Sequence, residues 1–508
     1  MATYSRPGVF INEVPLPQQV ELANNGQARG AFLGAFAQGP TAEPVLIQSW
    51  YEFGKTFGSL SDSYPATWAV YSFFANGGRS AYIKRVTGAG ATAASVVLRD
   101  RAASPLSTLR VTAKSAGAWG NSLKAEVTAS STTTFNLIIS DANGILEQFT
   151  DLSMSTTNSR YAVAYVNSAS YYVTLTNLTS GTAAPDNQPE VAGLKSFTSG
   201  ADGSAPTRAS YQTALTSFDA ITNPLLLINA DASYAFASGG QNTDRANKVL
   251  LDNDVTAYAE NRGDVFALID PPAGLTPAEA ITYAIDGCGA VDGGNAAIYY
   301  PWVVVPDLLK SAPGATRVVG PAAIAAGKYL ETDASRGVFK TPAGFGTKIG
   351  SAVALERTLT NAELDSLNAA SKPVNAIRNV PGGGIVIMGG RTLNNSTGER
   401  YINVRRSMIY LKKELTDRSS FAVFENNSEI LWNQIRTSLS NFLRNYWSQG
   451  GLRGQTPEQA FYVRCDASNN TPTDILAGRV NIEVGVAVEY PAEFIVISIG
   501  QITGNASA

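Results

Sequence analysis

Hydrophobic residues follow two rhythms in this chain. In the middle, Pro224 to Asn229, Val265 to Asp270 and Ala296 to Tyr300 are apolar at successive positions, whereas Asp244 to Asn261 and Thr276 to Ile285 between them place apolar residues at helical spacing. Unbroken apolar runs suit strands covered on both faces, and the helical segments supply the cover. Their alternation predicts a partly parallel sheet with helices on either side. Residues 30–88 add short strands at Pro44 to Ile47 and Ala81 to Val86, and an aromatic helix near Pro65 to Phe74 that Gly77 and Gly78 bring to a stop. From 89 to 204 the chain turns to Ser, Thr, Ala and Asn, with alternating segments such as Tyr161 to Val166 and Tyr171 to Leu175. That stretch reads as a separate β-rich module, bounded by the Gly/Ala-rich GAGATAAS and TSGADGSA.

Beyond Gly390 the pattern predicts strands and one long helix. Ile430, Leu431, Ile435, Leu439, Phe442, Leu443, Tyr446 and Trp447 make one apolar face, Ser428 with Glu429 starts the helix, and Gly450-Gly451 ends it. Arg436, Ser440 and Arg444 stand in line on another face, which suits a solvated surface or a docking one. The last apolar run, Pro491 to Ile499, is β-branched and aromatic and needs neighbours on both faces and both edges. Val9-Phe10-Ile11 near the other end has the same character, followed by Pro15, Leu16, Pro17 and a polar stretch to about Arg29. Both ends read as extended arms. From periodicity alone, the last run also suits a strand buried in the chain's own sheet.

Composition narrows the chemistry. The chain has 508 residues, 44% of them hydrophobic, enough for roughly two to four domains with real cores. Its formal net charge is -3 and no Lys/Arg run stands out, so neither nucleic acid nor an anionic membrane surface is an expected partner. The start of the sequence lacks a basic segment followed by an apolar one, and no window reaches the ~20 apolar residues of a membrane span. Two distant cysteines, Cys288 and Cys465, make neither a disulfide scaffold nor a zinc site, which fits folding in a reducing cytoplasm.

The chain has no histidine, which removes Ser-His-Asp and Cys-His nucleophiles and His-based metal sites. Carboxylates such as Asp252 and Asp254 are the remaining acid/base or metal candidates, although on an amphipathic helix they read as a solvated face. Gly382 to Gly384 lack the Gly-Lys-Ser/Thr of a phosphate loop and precede a strand, so a tight turn is expected. No cofactor, metal or catalytic residue is assigned.

These segments together resemble a known family. FLRNYWSQGGLRGQTPEQAFYVRCDASNNTPTDILAGRVNIEVGVAVEYPAEFIVISIGQ, Phe442 to Gln501, resembles the C-terminal domain of contractile tail sheath proteins, the outer contractile tubes of myophage tails and related injection machines. Tyr4 to Val14 is similar to the family's opening, and IDPPAG, AAIYYPWVVV, RVVGPAAIAAGKYLETDASRGVFKTPAG and VNAIRN followed by GGRTL are similar to its middle segments. In the 89–204 module only Ala113 to Val127 looks familial, and VVGPAAIAAG departs from the usual Pro-Pro-Ser-Gly turn.

The resemblance implies a multidomain fold of α/β and α+β parts. It consists of a linking arm at 1–29, a mixed-sheet α/β body from 30–88 and 205–389, an inserted β-rich protruding module at 89–204, and an inner sheath domain at 390–508 completed by strand arms. It further implies that Val9, Phe10, Ile11, Glu13 and Val14, with Glu493, Phe494, Ile495, Val496, Ile497 and Ile499, link subunits by strand exchange. The chain would then be a helical homo-oligomer around an inner tail tube, with baseplate and tail terminator proteins as further partners. It would assemble in the host bacterial cytoplasm and reside in the tail sheath. Arg436, Arg444 and Arg453 are the expected contact to the inner tube. A carboxylate-based α/β enzyme and a static tube protein are the alternatives, and phage tail or tailocin is left open.

Overall fold

The three central apolar runs form adjacent parallel strands, Leu225–Asn229, Val265–Ile269 and Ala296–Tyr300, every residue of which is buried. The structure is a computed structural model that describes residues 27–231, 241–288 and 294–494. In an eight-stranded sheet the order is Gly384–Ile387, Val374–Val380, Ala296–Tyr300, Val265–Ile269, Leu225–Asn229, Arg29–Gly34, Ala81–Arg85 and Val45–Ile47. The six inner strands are parallel, and the edge strand at each end is antiparallel. The chain enters at Arg29–Gly34, builds outward to Ala81–Arg85, and resumes on the other side at Leu225–Asn229.

Each face of this sheet carries its own apolar core. One holds Phe32, Phe53, Phe57, Trp68, Phe73 and Tyr299 with the buried alanines of helix Pro321–Arg336. The other gathers Tyr211, Phe218, Leu251, Val255, Ala259 and Tyr283 from helices that include Gln241–Arg262 and Pro277–Gly287. Burying each such large side chain contributes about 1.5–3 kcal/mol, so these two layers dominate the stability of the body. Helix Pro277–Gly287 starts where the sequence predicts, because Thr276 and Glu279 form a capping box and Pro277 occupies the first turn. Gly327 lets helices Ala66–Ala75 and Pro321–Arg336 approach closely, since a Cβ there would lie 2.7 Å from the Phe73 carbonyl oxygen. The triple glycine is the expected tight turn: Gly382 and Gly384 take positive φ between the antiparallel strands Val374–Val380 and Gly384–Ile387.

Residues between strand Ala81–Arg85 and Leu225 contain two antiparallel sheets around one core. Ser95–Arg99, Ser107–Ala113 and Val173–Asn177 face Ala192–Ser196, Lys124–Ala129, Phe135–Asp141 and Gly144–Leu152. The segment expected as a strand at Tyr161 to Val166 is instead the start of helix Ala162–Ala169. Its short apolar run satisfies either period, and the helical one wins because it places Ala162 and Val166 together in the sandwich core. Buried Arg85 joins this sandwich to the body by donating to the carbonyls of Phe36, Ala37, Gly39 and Ala116.

The C-terminal part packs helices Ile402–Ser419 and Glu429–Ser448 against a hairpin of Phe461–Arg464 and Glu483–Val486. Helix Glu429–Ser448 buries Leu431, Ile435, Leu439, Phe442, Leu443 and Tyr446 as its spacing predicts. Ile430 is the exception at 72% exposed, and Trp432 takes the buried position, its indole N–H 2.8 Å from Asn427 Oδ1. A buried ion pair, Arg406 with Asp333, fastens this part to helix Pro321–Arg336, and the Arg406 guanidinium lies 4.8 Å from the centre of the Tyr329 ring.

Candidate functional site

The acidic candidates are spent on structure. Asp252 is buried, contrary to the solvated face expected of it, because Lys248, Asp252 and Thr256 recur at helical spacing on the stripe facing helix Pro277–Gly287. Its carboxylate lies 2.6 Å from Lys248 Nζ and accepts from the Tyr283 hydroxyl. Asp254 holds Arg208 in a two-point ion pair, with nitrogen–oxygen distances of 2.6 and 2.7 Å. At the C-terminal ends of the parallel strands, where α/β enzymes place their chemistry, stand two more buried carboxyls. Asp231 accepts from the Ala35 N–H at 2.6 Å and from the Tyr211 hydroxyl, and burial pushes its pKa up to about 6. Asp270 accepts from the Ala322 N–H at 2.6 Å at the start of helix Pro321–Arg336, and burial pushes it up to about 7.

The cavity that Asp270 lines with Trp68, Trp302 and Arg317 measures about 30 Å³, room for a water and not for a substrate. Burial also raises the Cys288 thiol to about 12, away from reactivity. Among the described residues no group of three or more His, Cys, Asp or Glu is placed to hold a metal, and no helix is long and apolar enough to cross a membrane.

The C-terminal hairpin has the opposite character, because among the described residues its two strands pair only with each other. Phe461, Val463, Val484 and Val486 turn inward onto helix Glu429–Ser448, while Tyr462, Arg464 and Glu483 form a polar outer face. Among the described strands no third one pairs with either member, and past the hairpin end only a single bridge joins Leu452 to Val488. A two-stranded sheet is marginal in water, and open edges invite further strands.

From this hairpin the chain runs back over the body as a strap. Asn403 Nδ2 donates to Glu489 O at 2.9 Å, the Tyr490 ring packs edge-on against Tyr401, and Glu493 meets Arg391 in a fork. Arg391 Nε lies 2.9 Å from Glu493 Oε1 and Nη2 lies 2.7 Å from Oε2. Beneath the strap is a cavity of about 440 Å³ lined by Phe339, Thr341, Met388, Tyr401 and Asn403.

Of the expected linking residues, Glu493 is therefore held within the chain, and Phe494 beside it is 71% exposed. Val9, Phe10, Ile11, Glu13, Val14, Ile495, Val496, Ile497 and Ile499 lie outside the described residues. The three arginines do not form a uniform row. Arg444 and Arg453 are exposed, whereas Arg436 is half-buried and turns to Asn433 and to the Cys465 carbonyl. Arg391, Asn403 and Tyr401 were not singled out from sequence. Arg391 lies in the GGRTL segment, but nothing local points from it to a carboxylate over a hundred residues away.

Residues 232–393 match the phage tail sheath protein central domain, and residues 397–502 match the phage tail sheath C-terminal domain. The chain belongs to the phage tail sheath family. The two matches follow one another and together span just over half of the sequence. The tail sheath protein of Enterobacteria phage T4 is 25% identical over 262 residues, which cover 49% of this chain and 38% of that protein. The present chain thus spans well under two thirds of that sheath protein's length.

Among solved structures, the sheath complex of an extracellular contractile injection system, PVC, in its contracted state gives a TM-score of 0.56 at 21% identity and covers 99% of both chains. A sheath tail protein from Listeria innocua gives 0.60 at 14% identity, covering 91% of this chain and 96% of its own. Both likenesses concern the fold. Within this sheath-family chain the hairpin and strap belong to the C-terminal match, and Arg391 belongs to the central one. The Arg391–Glu493 fork therefore bridges the two sheath domains.

Proposed function

We propose that this chain is the subunit of a contractile tail sheath, polymerising as a helical tube by donating its two ends to neighbouring copies. The observation that carries the linkage is the unfinished hairpin Phe461–Arg464 with Glu483–Val486, which has one face on an apolar core and no third strand among the described residues. Strands added at such edges gain affinity from main-chain hydrogen bonds and specificity from alternate side chains. Val9 to Val14 and Phe494 to Ile499 are the segments assigned to supply them. The stretch from Pro15 to Arg29 spans up to ~50 Å when extended, so a body can move while its strand stays paired.

Head-to-tail linkage that does not close into a ring generates a helix, and hence a tube. Contraction then proceeds by rigid-body movement of the subunits from a metastable lattice held by a kinetic barrier to a more stable one, with no nucleotide consumed. The partners in this scheme are further copies of the chain, an inner tail tube, a baseplate and a tail terminator, within a phage tail or another contractile particle assembled in the host cytoplasm. Residues 30–88 and 205–389 serve as the middle body, 89–204 as the outward module, 390–508 as the inner domain, and 1–29 as an arm. Arg436, Arg444 and Arg453 are assigned to the tube-facing contact.

The test is deletion of residues 2–14. The truncated chain should stay folded by circular dichroism and monomeric in sedimentation, with no tubes in negative-stain micrographs. Tubes of ordinary length from the truncated chain would sink the linkage.

A further inference from the structure

The strap from Glu489 to Glu493 is fastened at its ends by polar contacts and spans a cavity of about 440 Å³ between them. Between those ends the Tyr490 ring on Tyr401 is the strap's one aromatic contact among the described residues. Here the strongest grip is Arg391, whose planar guanidinium meets both Glu493 oxygens and so fixes direction as well as distance, with the Tyr401 hydroxyl donating to Glu493 Oε2 at a longer 3.4 Å. Arg391 is itself rigidly held. Its N–H donates to Asn375 Oδ1 at 2.8 Å, its carbonyl accepts from Asn375 Nδ2 at 2.7 Å, and its Nη1 donates to Asn368 O at 2.8 Å. Asn375 lies in strand Val374–Val380, and its Nδ2 also reaches the Ile298 carbonyl of the neighbouring strand at 3.2 Å. A short chain of hydrogen bonds thus runs from Glu493 to two adjacent strands of the eight-stranded sheet.

We propose that the Arg391–Glu493 fork is the coupling through which a neighbouring copy, pulling on the donated terminal strand, turns the whole body. This inference rests on the terminal segment being an inter-subunit link, as proposed above. With the fork intact, tension on residues beyond Phe494 enters the sheet at Arg391. With it broken, the strap peels back toward Glu489 and adds up to roughly 14 Å of slack, nearly three times the ~4.8 Å spacing of neighbouring strands. Slack of that size lets linked bodies adopt different positions, so the rearrangement loses its uniformity before it loses its links.

The test uses the full-length chain with Arg391→Gln, Glu493→Gln and the double variant, assembled on the inner tube and then triggered. Each single variant is expected to form tubes but to show a several-fold lower fraction of particles in one uniform contracted lattice by cryo-electron microscopy. The double variant should be no worse than Arg391→Gln alone, because that single change already removes the fork together with the Arg391–Asn368 bond. The thermal midpoint of the isolated subunit should fall by no more than ~4 °C, as expected when one mostly buried, hydrogen-bonded pair is lost from a large chain.

Three results overturn the inference: single variants with parent-like lattices, losses that add in the double variant, or a fall in subunit stability that accounts for the lost contraction. Removal of residues 495–508 is the separate control. If that truncated chain polymerises normally, the linking role fails, whatever the fork variants do.

Discussion

Replacing Asp270 by Asn should flatten the pH dependence of the body's stability. Asp270 is buried, and burial lifts its pKa from an ordinary 3.8 to about 7, with Asp252 adding to the rise, while the Ala322 N–H and the Lys248 ammonium oppose it. The folded chain therefore holds this proton while the unfolded chain has already released it. The contribution is fully present below 3.8 and is lost as the pH rises through about 7. At ~1.4 kcal/mol per unit the complete effect is about 4 kcal/mol.

Asn keeps an oxygen for the Ala322 N–H and carries no charge at any pH, so the variant escapes the loss. Its amide nitrogen, however, faces Gly320, against which Asp270 Oδ2 packs so closely that a Cβ would clash. An unpaired amide there costs about 1–3 kcal/mol. The variant should therefore be less stable than the parent below about pH 4 and more stable near pH 8, by about 1–3 kcal/mol at each end, with the curves crossing between. Denaturant midpoints of the isolated subunit across this range, followed by circular dichroism, check the crossing. Asp231, also raised, to about 6, is present in both chains and cancels in the difference. Parallel curves for parent and variant would refute the argument, since they require Asp270 to titrate alike in the folded and unfolded chains.

Arg406→Met strands the Asp333 carboxylate in the interior and should cost about 3–5 kcal/mol by denaturant titration, whereas Arg406→Met with Asp333→Leu should recover most of it. Reversing the charge of Arg436 and Arg444 together should reduce co-sedimentation with the inner tube while leaving tube-free polymers intact. Unchanged co-sedimentation would remove the assignment of those residues.

The sequence was most legible where burial is complete. Leu225–Asn229, Val265–Ile269 and Ala296–Tyr300 sit inside a two-faced sheet, so their apolar character owes nothing to pairing register and could be seen in isolation. Tyr161 to Val166 was illegible because small residues alternate with larger ones over a span too short to separate the two periods. Asp252 reads as solvated by its acidity, but its position on the helix buries it. Leu251, Val255 and Ala259 mark the buried stripe, and Lys248 one turn before Asp252 is the local sign of a buried pair. The Arg391–Glu493 fork had no such sign, since a single sequence carries no trace of which distant carboxylate an arginine will meet.

The contrast between the body and the strap bears on where a rearrangement must take place. The eight-stranded sheet has an apolar core on each face, Arg406–Asp333 fastens the C-terminal helices to it, and Arg85 fastens the sandwich. Opening any of these exposes large buried side chains or strands a charge, at several kcal/mol each. The strap can be lifted by breaking one fork, one ring contact and hydrogen bonds from Asn403 and Tyr401. Deformation goes to the element with the fewest buried contacts. Under the proposed linkage, the bodies should therefore keep their internal structure when copies move, and the work of a transition would come from the surfaces between subunits. On that proposal the stiffness of the strap's fastening, and not the stability of the core, decides how faithfully one subunit's movement is passed to the next.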